Sequence, residues 1–150
     1  MKKTGYLLVF VILALDQLSK ALVRAVMYVG ESVHIIEGVF HITYVQNRGA
    51  AFGMLFGQKV ILVVIPIIAI LAAVWYLKEH RDEHWTLGIS LSLIVSGGIG
   101  NLIDRIVFGY VTDMFDFRIW PVFNVADIAV CVGAGLLILY TVFYYDKKKA

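Results

Sequence analysis

Charged residues are scarce in this chain of 150 residues: they form 16% of the sequence, whereas hydrophobic residues form 61%. Soluble domains carry about 25% charged residues, so this composition indicates that water is not the chain's main solvent. The formal net charge is only +2, and the sequence has no basic stripe with interleaved aromatic residues, which argues against nucleic-acid binding. The length leaves room for one domain, residues 1–150.

Cysteine and histidine are also few. The single cysteine, Cys131, excludes an internal disulfide framework and a CxxC metal site. None of the four histidines lies in or next to the acidic cluster described below, so neither a zinc site nor a Ser–His or Cys–His nucleophile pair is expected. We expect no metal and no cofactor.

Long hydrophobic runs are abundant by contrast. Segments long enough to cross roughly 30 Å of hydrocarbon predict four transmembrane helices. They cover residues 5–27, 59–77, 85–106 and 124–145. The first resembles a signal peptide because Lys2 and Lys3 precede it, but it lacks a convincing small-residue cleavage site and continues to Met27. We interpret it as a retained span.

Basic residues predict the orientation of these spans. They occur before the first span, in the short loop 78–84 and after the last span, and the positive-inside rule therefore places both termini in the cytoplasm. The residues are Lys2, Lys3, Lys78, Arg81, Lys147, Lys148 and Lys149. Segments 28–58 and 108–122 then lie outside.

The first outer segment alternates in hydrophobicity. Val33 and Ile35, then Ile42 and Tyr44, flank a turn at Glu37, which predicts a small outer β-element at about residues 32–46. The expected fold is an all-α membrane protein of four transmembrane helices with a small extracytoplasmic β-element.

Polar and ionisable residues within the spans are confined to the outer side. Such groups are costly in hydrocarbon, so they usually face the bundle interior and mark function. They include Asp16, Lys20, Arg24, Asn101, Asp104, Arg105, Asn124 and Asp127, with Asp113 and Asp116 in the second outer segment. The cytoplasmic halves of the same helices contain almost nothing that titrates. This asymmetry predicts one polar site near the outer membrane surface.

The chemistry available there is that of carboxylates. Two carboxylates close together in a low-dielectric site share a proton, so that one acts as a base on water and the other as an acid. Asp113, expected on a loop, and Asp127, at the start of the fourth span, are placed for such a pair.

Five sequence motifs then occur in order along the chain, in the spans and in the two outer segments. They are 16-DQLSK-20, 47-NRGAAF-52, 97-GGIGNLIDR-105, 111-VTD-113 and 123-FNVAD-127. In this order they resemble the motifs of lipoprotein signal peptidase (signal peptidase II), a family of four-helix aspartic peptidases of the bacterial cytoplasmic membrane. The resemblance implies cleavage of diacylglyceryl-modified prolipoproteins just before the lipidated cysteine.

The resemblance also implies roles for individual residues. Asp113 and Asp127 match the catalytic pair. Supporting positions are matched by Asp16, Lys20, Asn47, Gly98, Asn101, Asp104, Arg105, Asn124 and Ala126. Two features depart from the family pattern: Arg48 stands where threonine is frequent, and Asp116 is a second acid near Asp113. The implied partners are the lipid-modified precursor and membrane lipid, and we expect a monomer.

Purely structural interpretations remain open for several of these residues. Asn124 and Asp127 have the spacing of a helix N-cap and its partner acid. Asp16 and Lys20 could be a mutually neutralising ion pair, and Asp104 and Arg105 an interfacial salt bridge. The glycines of 97–100 could be a face for close helix packing.

Other functions are also compatible with intramembrane acids. A small ion-coupled or proton-coupled transporter subunit would use such groups, but they should then extend through the full membrane depth. A non-catalytic assembly factor would explain the packing motifs but not the convergent acids. The sequence favours the peptidase.

Overall fold

The computed structural model describes residues 3–49, 58–80 and 84–145. The described part contains four long helices: α1 (Lys3–Val26), α2 (Lys59–Glu79), α3 (Trp85–Val107) and α4 (Val125–Tyr140), the last continuing as a π-helical turn (Thr141–Tyr145). All four helices are long and apolar enough to cross a membrane. The predicted fold class, an all-α membrane protein with a small β-element, is confirmed.

Helix α3 lies at the centre of the bundle, because it contacts each of the other three helices and is the most buried of them. Small residues on its surface allow this. A Cβ atom at Gly97 would collide with the backbone carbonyl of Ala126 in α4, and one at Gly100 would collide with the Asp16 carboxylate in α1. Both glycines therefore permit the close approach of helices on which the polar site depends.

The outward faces of the helices are apolar. Large side chains such as Phe10, Leu71 and Ile138 are exposed on α1, α2 and α4. In a soluble protein such surfaces would be a liability, but a lipid-facing surface requires them, because hydrocarbon cannot hydrogen-bond polar groups. The fold is that of a multi-pass membrane protein.

Three antiparallel strands form one sheet beside one end of the bundle. The strands β1 (Ser32–Ile36), β2 (Phe40–Asn47) and β3 (Val111–Asp116) are arranged in the order β1-β2-β3. In the pairing of β2 with β3, Val45 faces Asp113 and Asn47 faces Val111. This register places the end of β2 opposite the start of β3, and the Asn47 side chain there reaches the Asp113 carboxyl group.

Strand β3 corrects the sequence interpretation, which placed segment 108–122 in a loop. Nearly all of its residues are buried, including Thr112, Asp113 and Asp116, so the strand lacks the polar–apolar alternation that marks a half-exposed strand. Its pairing partner, β2, is distant in the chain. Asp113 is consequently held on a strand, which limits its backbone freedom more than a loop would.

Candidate active site

The polar residues singled out in the sequence meet at the end of the bundle that carries the sheet. Five elements supply them: α1, the end of β2 with Asn47, α3, β3 and the N-terminus of α4. Hydrogen bonds and ion pairs join most of them into one network. Its members are Asp16, Lys20, Asn47, Asn101, Asp104, Asp113, Asn124, Ala126 and Asp127. Of the motif 47–52, Ala50, Ala51 and Phe52 lie outside the described residues.

Asn124 connects Asp113 to Asp127. Its Nδ2 donates to Asp113 Oδ1 at 2.6 Å, and its Oδ1 accepts from the Asp127 backbone N–H at 2.9 Å. The Asn124 backbone N–H donates in return to Asp127 Oδ2 at 3.2 Å. One asparagine at the start of α4 thus positions both carboxyl groups.

The capping interpretation of this pair is confirmed. Asn124 is the N-cap of α4, and Asp127 is the N3 residue of a complete capping box. Capping does not consume the Asp127 carboxylate, because its other oxygen, Oδ1, accepts from Asn101 Nδ2 at 2.8 Å and the residue also lines a groove. The helix cap is therefore the device that orients Asp127.

Lys20 determines how the Asn101 amide is oriented. Asn101 Oδ1 accepts from Lys20 Nζ at 2.9 Å and from Asn124 Nδ2 at 3.1 Å. With its oxygen occupied by two donors, the amide must direct its NH₂ group to Asp127. A fully buried cation in α1 thereby reaches the carboxylate at the start of α4 through one amide.

A buried ion cluster lies behind this amide. Lys20 Nζ is 2.9 Å from Asp16 Oδ2 and 3.7 Å from Asp104 Oδ2, and all three side chains are fully buried. Arg24 Nη1 lies 3.5 Å from Asp104 Oδ1 and completes two cations against two anions. The predicted Asp16–Lys20 ion pair therefore exists, but as part of a larger, charge-balanced cluster.

Asp16 also attaches α1 to α4. Its Oδ1 accepts from the backbone N–H of Ala126 at 2.9 Å, in the first turn of α4, where helix N–H groups lack intrahelical partners. Through this backbone contact Ala126 joins the network, and its small side chain is completely buried next to Gly100 of α3. The position of Asp127 is thus determined from two sides.

Asp104 and Arg105 do not behave as the sequence suggested, because each points to a different partner. Asp104 Oδ2 accepts from the Thr112 backbone N–H at 2.9 Å, which attaches α3 to β3. Arg105 Nη2 donates to the Gly49 carbonyl at 3.2 Å, and its side chain lines the groove. An Asp104–Arg105 salt bridge is therefore not what holds this region.

Burial makes the Asp113 carboxyl group a weaker acid than usual. Desolvation, reinforced by the negative charge of Asp127, raises the pKa of Asp113 to about 7, against hydrogen bonds from Asn47 and Asn124 that lower it. The Asn47 bond joins Nδ2 to Asp113 Oδ2 at 3.0 Å. A carboxyl group with such a pKa is available as an acid near neutral pH.

Asp116, the second acid of this segment, does not join the network. Its Oδ2 accepts from Thr43 Oγ1 at 2.8 Å and from Arg118 Nη1 at 3.0 Å. Burial alone would raise its pKa, but the backbone N–H of Arg118, Thr43 and the Arg118 guanidinium lower it. Asp116 is a structural carboxylate.

A large apolar groove opens beside Asp113 and Asp127. Its volume is about 790 Å³, and apolar side chains of α2, α3 and α4 form most of its walls. Gly98 belongs to these walls; a Cβ atom there would lie 3.2 Å from Ile70, so this glycine allows close contact with α2 rather than with α4. Polar groups line the groove through Asn47, Asn101, Arg105, Asp113 and Asp127.

Arg24 and Thr112 were not assigned a role at the site from the sequence, where Arg24 counted among the outer polar residues and Thr112 belonged to a motif. Arg24 Nη1 donates to Thr112 Oγ1 at 3.0 Å, and its guanidinium lies 4.4 Å from the centroid of the Phe108 ring. The spacing Asp16, Lys20, Arg24 places all three on one helix face, and this signal could have identified Arg24.

Comparison with known proteins gives the same result as the motifs. The signal peptidase (SPase) II family model matches residues 8–143. The chain belongs to this family of aspartic peptidases. The lipoprotein signal peptidase of Halothermothrix orenii is 53% identical over 136 residues, which is 90% of this chain and 92% of that protein. That of Clostridioides difficile is 42% identical over 145 residues, which is 95% of this chain and 97% of that protein.

A solved structure supports the fold described above. A bacterial membrane enzyme determined by the in meso method at 2.3 Å resolution has a TM-score of 0.90 and 30% identity. The match covers 95% of this chain and 89% of that one. Membership of the family also decides against the transporter and assembly-factor alternatives.

Proposed function

We propose that this protein hydrolyses diacylglyceryl-modified prolipoproteins just before the lipidated cysteine, with Asp113 and Asp127 as its catalytic pair. The observation that carries the proposal is the placement of two carboxyl groups, on separate elements but bonded to the same asparagine, beside a large apolar groove. An intramembrane peptidase for a lipidated substrate needs both features: a pair that activates water and an apolar surface for acyl chains.

In the proposed reaction, water attacks the scissile carbonyl directly. Asp127 takes a proton from the water, while protonated Asp113 donates a hydrogen bond to the carbonyl oxygen and stabilises the negative charge that develops there. The tetrahedral intermediate collapses, the C–N bond breaks, and the proton held by Asp127 passes to the leaving amine. The products are a carboxylate on the signal peptide and a free amino group on the cysteine.

The amides and Arg105 support this reaction by orientation. Asn101 and Asn124 donate to Asp127, and Asn47 and Asn124 donate to Asp113, so both carboxyl groups keep fixed directions. Arg105 is available to the substrate backbone because it lines the groove. Holding the reacting groups in place removes much of the entropic part of the barrier.

The groove supports a substrate that enters from the bilayer. Its apolar walls suit the diacylglyceryl chains, and anchoring them there would place the peptide bond beside the carboxyl pair. We assign the protein to the bacterial cytoplasmic membrane as a monomer, with both termini in the cytoplasm and the sheet on the outer face. Of the basic residues behind this orientation, Lys2, Arg81, Lys147, Lys148 and Lys149 lie outside the described residues.

Cleavage is expected to require the lipid. The test uses the full-length protein in phospholipid vesicles with two forms of one prolipoprotein, with and without diacylglyceryl on the cysteine, and identifies products by mass spectrometry. We expect a product that begins at the lipidated cysteine and little cleavage of the unmodified form. Equal cleavage of both forms would contradict the proposed substrate, and cleavage of neither would contradict the proposed function.

Activity is expected to decrease as the pH rises through about 7, because the mechanism needs the proton of Asp113, whose pKa is about 7. In Asn47→Ala a donor that favours ionised Asp113 is lost, so the alkaline limb of kcat/KM should move to higher pH. Gln46→Ala is the control, since Gln46 bonds to Tyr44 instead. An unmoved limb in Asn47→Ala would refute this role of Asp113.

A further inference from the structure

The connection between β3 and α4 contains a tight turn with an unusual backbone. Arg118 has φ = 65° and is the one non-glycine residue with positive φ in the described part of the chain. The Ile119 backbone N–H donates to the Phe117 carbonyl at 2.8 Å, which closes a three-residue turn around Arg118. Such a turn is strained for a residue with a side chain, and the surrounding structure must hold it.

Asp116 provides that hold. Its Oδ1 accepts from the Arg118 backbone N–H at 2.9 Å, and its Oδ2 accepts from the Arg118 guanidinium at 3.0 Å. Thr43 of β2 donates to the same Oδ2 at 2.8 Å and connects the turn to the sheet. Asp116, the second acid near Asp113 in the sequence, therefore stabilises the backbone conformation of Arg118.

Aromatic rings fix the base of the same turn. Phe117 stacks on Phe123 with ring centroids 5.9 Å apart and an angle of 4° between the planes, and it also contacts Phe40 of β2 at 4.8 Å. Phe115 and Phe123 exchange backbone hydrogen bonds of 2.8 and 3.1 Å. The turn is thus built as a rigid support, not as a loose loop.

This support presents two large apolar side chains to the outside. Ile119 is 93% exposed and Trp120 is 62% exposed at the tip of the connection. Leaving such side chains in water forfeits the free energy that burial of apolar surface supplies. A rigid, strained turn that displays them indicates a surface made for contact with something apolar.

We propose that this tip, Ile119 and Trp120, inserts into the boundary between lipid headgroups and acyl chains and sets the depth of the groove in the membrane. The tip lies shortly before Val125, where the fourth membrane-spanning helix begins, so the chain is close to the bilayer surface there. The end of α3 is also apolar on its surface, since Ile106 and Val107 are exposed. Tryptophan is enriched at membrane interfaces, where its amphipathic ring lies at the level of the lipid headgroups.

The tip lies beside the groove, so its depth in the membrane affects the position of the candidate active site. Trp120 also lines the groove that contains Asp113 and Asp127. A tip held in the lipid interface would keep that wall, and the carboxyl pair with it, at a constant distance from the bilayer surface. The occupant we assign to the tip is lipid, and the proposal does not depend on the reaction proposed above.

Fluorescence quenching tests the position of the tip. Trp75→Phe combined with Trp85→Phe leaves Trp120 as the one tryptophan, because the sequence contains three. In vesicles of phosphatidylcholine brominated on acyl carbons near the headgroup, we expect loss of Trp120 fluorescence. We expect little additional loss with aqueous iodide. The matched control retains Trp75 alone, a lipid-facing residue of α2 that is 62% exposed and that brominated lipid should also quench.

Substitution of Arg118 tests whether the turn places the tip. In the single-Trp120 protein, Arg118→Gly retains the backbone conformation at φ = 65° and should preserve quenching by brominated lipid. Arg118→Val disfavours that conformation and should reduce quenching and increase the effect of iodide.

Two results would overturn the proposal. One is quenching of Trp120 by iodide and not by brominated lipid, which would place the tip in water. The other is iodide quenching that disappears only when the precursor is added, which would identify the tip as a surface for the substrate peptide.

Discussion

Asp113→Asn and Asp127→Asn are each expected to abolish measurable cleavage of the lipidated precursor. Asparagine has nearly the shape of aspartate but can neither take nor give the proton, and positioned acid–base groups contribute about 10²- to 10⁴-fold in rate. Because the two carboxyl groups act as a unit, the double variant should be no worse than either single variant. The measurement is the initial rate of cleavage in vesicles, with membrane insertion of each variant verified.

Asp116→Asn is the matched control for this series. Asp116 lies on the same strand as Asp113, but in the described part of the chain its side chain bonds to Thr43 and Arg118 and not to the asparagines that hold the pair. We therefore expect Asp116→Asn to cleave. Near-normal turnover by Asp113→Asn or Asp127→Asn would contradict the assignment, and loss of activity confined to Asp116→Asn would reverse the roles of the two acids.

Lys20→Met is expected to destabilise the folded protein by about 3–5 kcal/mol, the usual result of removing one partner of a buried ion pair. Methionine has a similar length but leaves Asp16 and part of Asp104 without their buried cation. It also removes one of the two donors that orient the Asn101 amide toward Asp127. The measurement is the free energy of unfolding in mixed detergent micelles.

A charge-balanced variant separates these effects. Asp16→Asn combined with Lys20→Met removes one anion with the cation, so part of the stability should return. Cleavage should be low in both Lys20→Met and the double variant, because in each the Asn101 amide lacks its bond from Lys20. Wild-type stability in Lys20→Met would show that the cluster does not need this cation.

The spans and the polar end of the bundle could be read from the sequence because both depend on local properties. An uncharged run of sufficient length crosses a membrane whatever its neighbours are. The capping box of Asn124 and Asp127 is likewise local, since its hydrogen bonds join residues of the same turn.

Strand β3 could not be read in the same way. Nearly all of its residues are buried, so exposed and buried positions do not alternate along it. The segment is a strand because it pairs with β2. The same holds for the partners of Asp104. Asp104 is adjacent to Arg105 in the sequence, but it bonds to Arg24 and Thr112. It does so because α1 and β3 pack against the face of α3 that carries Asp104.

Hydropathy and the order of the motifs were sufficient to predict a membrane peptidase with its polar groups at one end. Both are properties of the sequence itself and do not depend on which distant residues come into contact. The orientation of each carboxyl group was not available at that level. Asp127 is directed by Asn101, and Asn101 by Lys20, through bonds of 2.8 and 2.9 Å between α4, α3 and α1. Hydrogen bonds require such distances and directions together, and packing of the helices around Gly97 and Gly100 is what brings these distant residues within reach of one another.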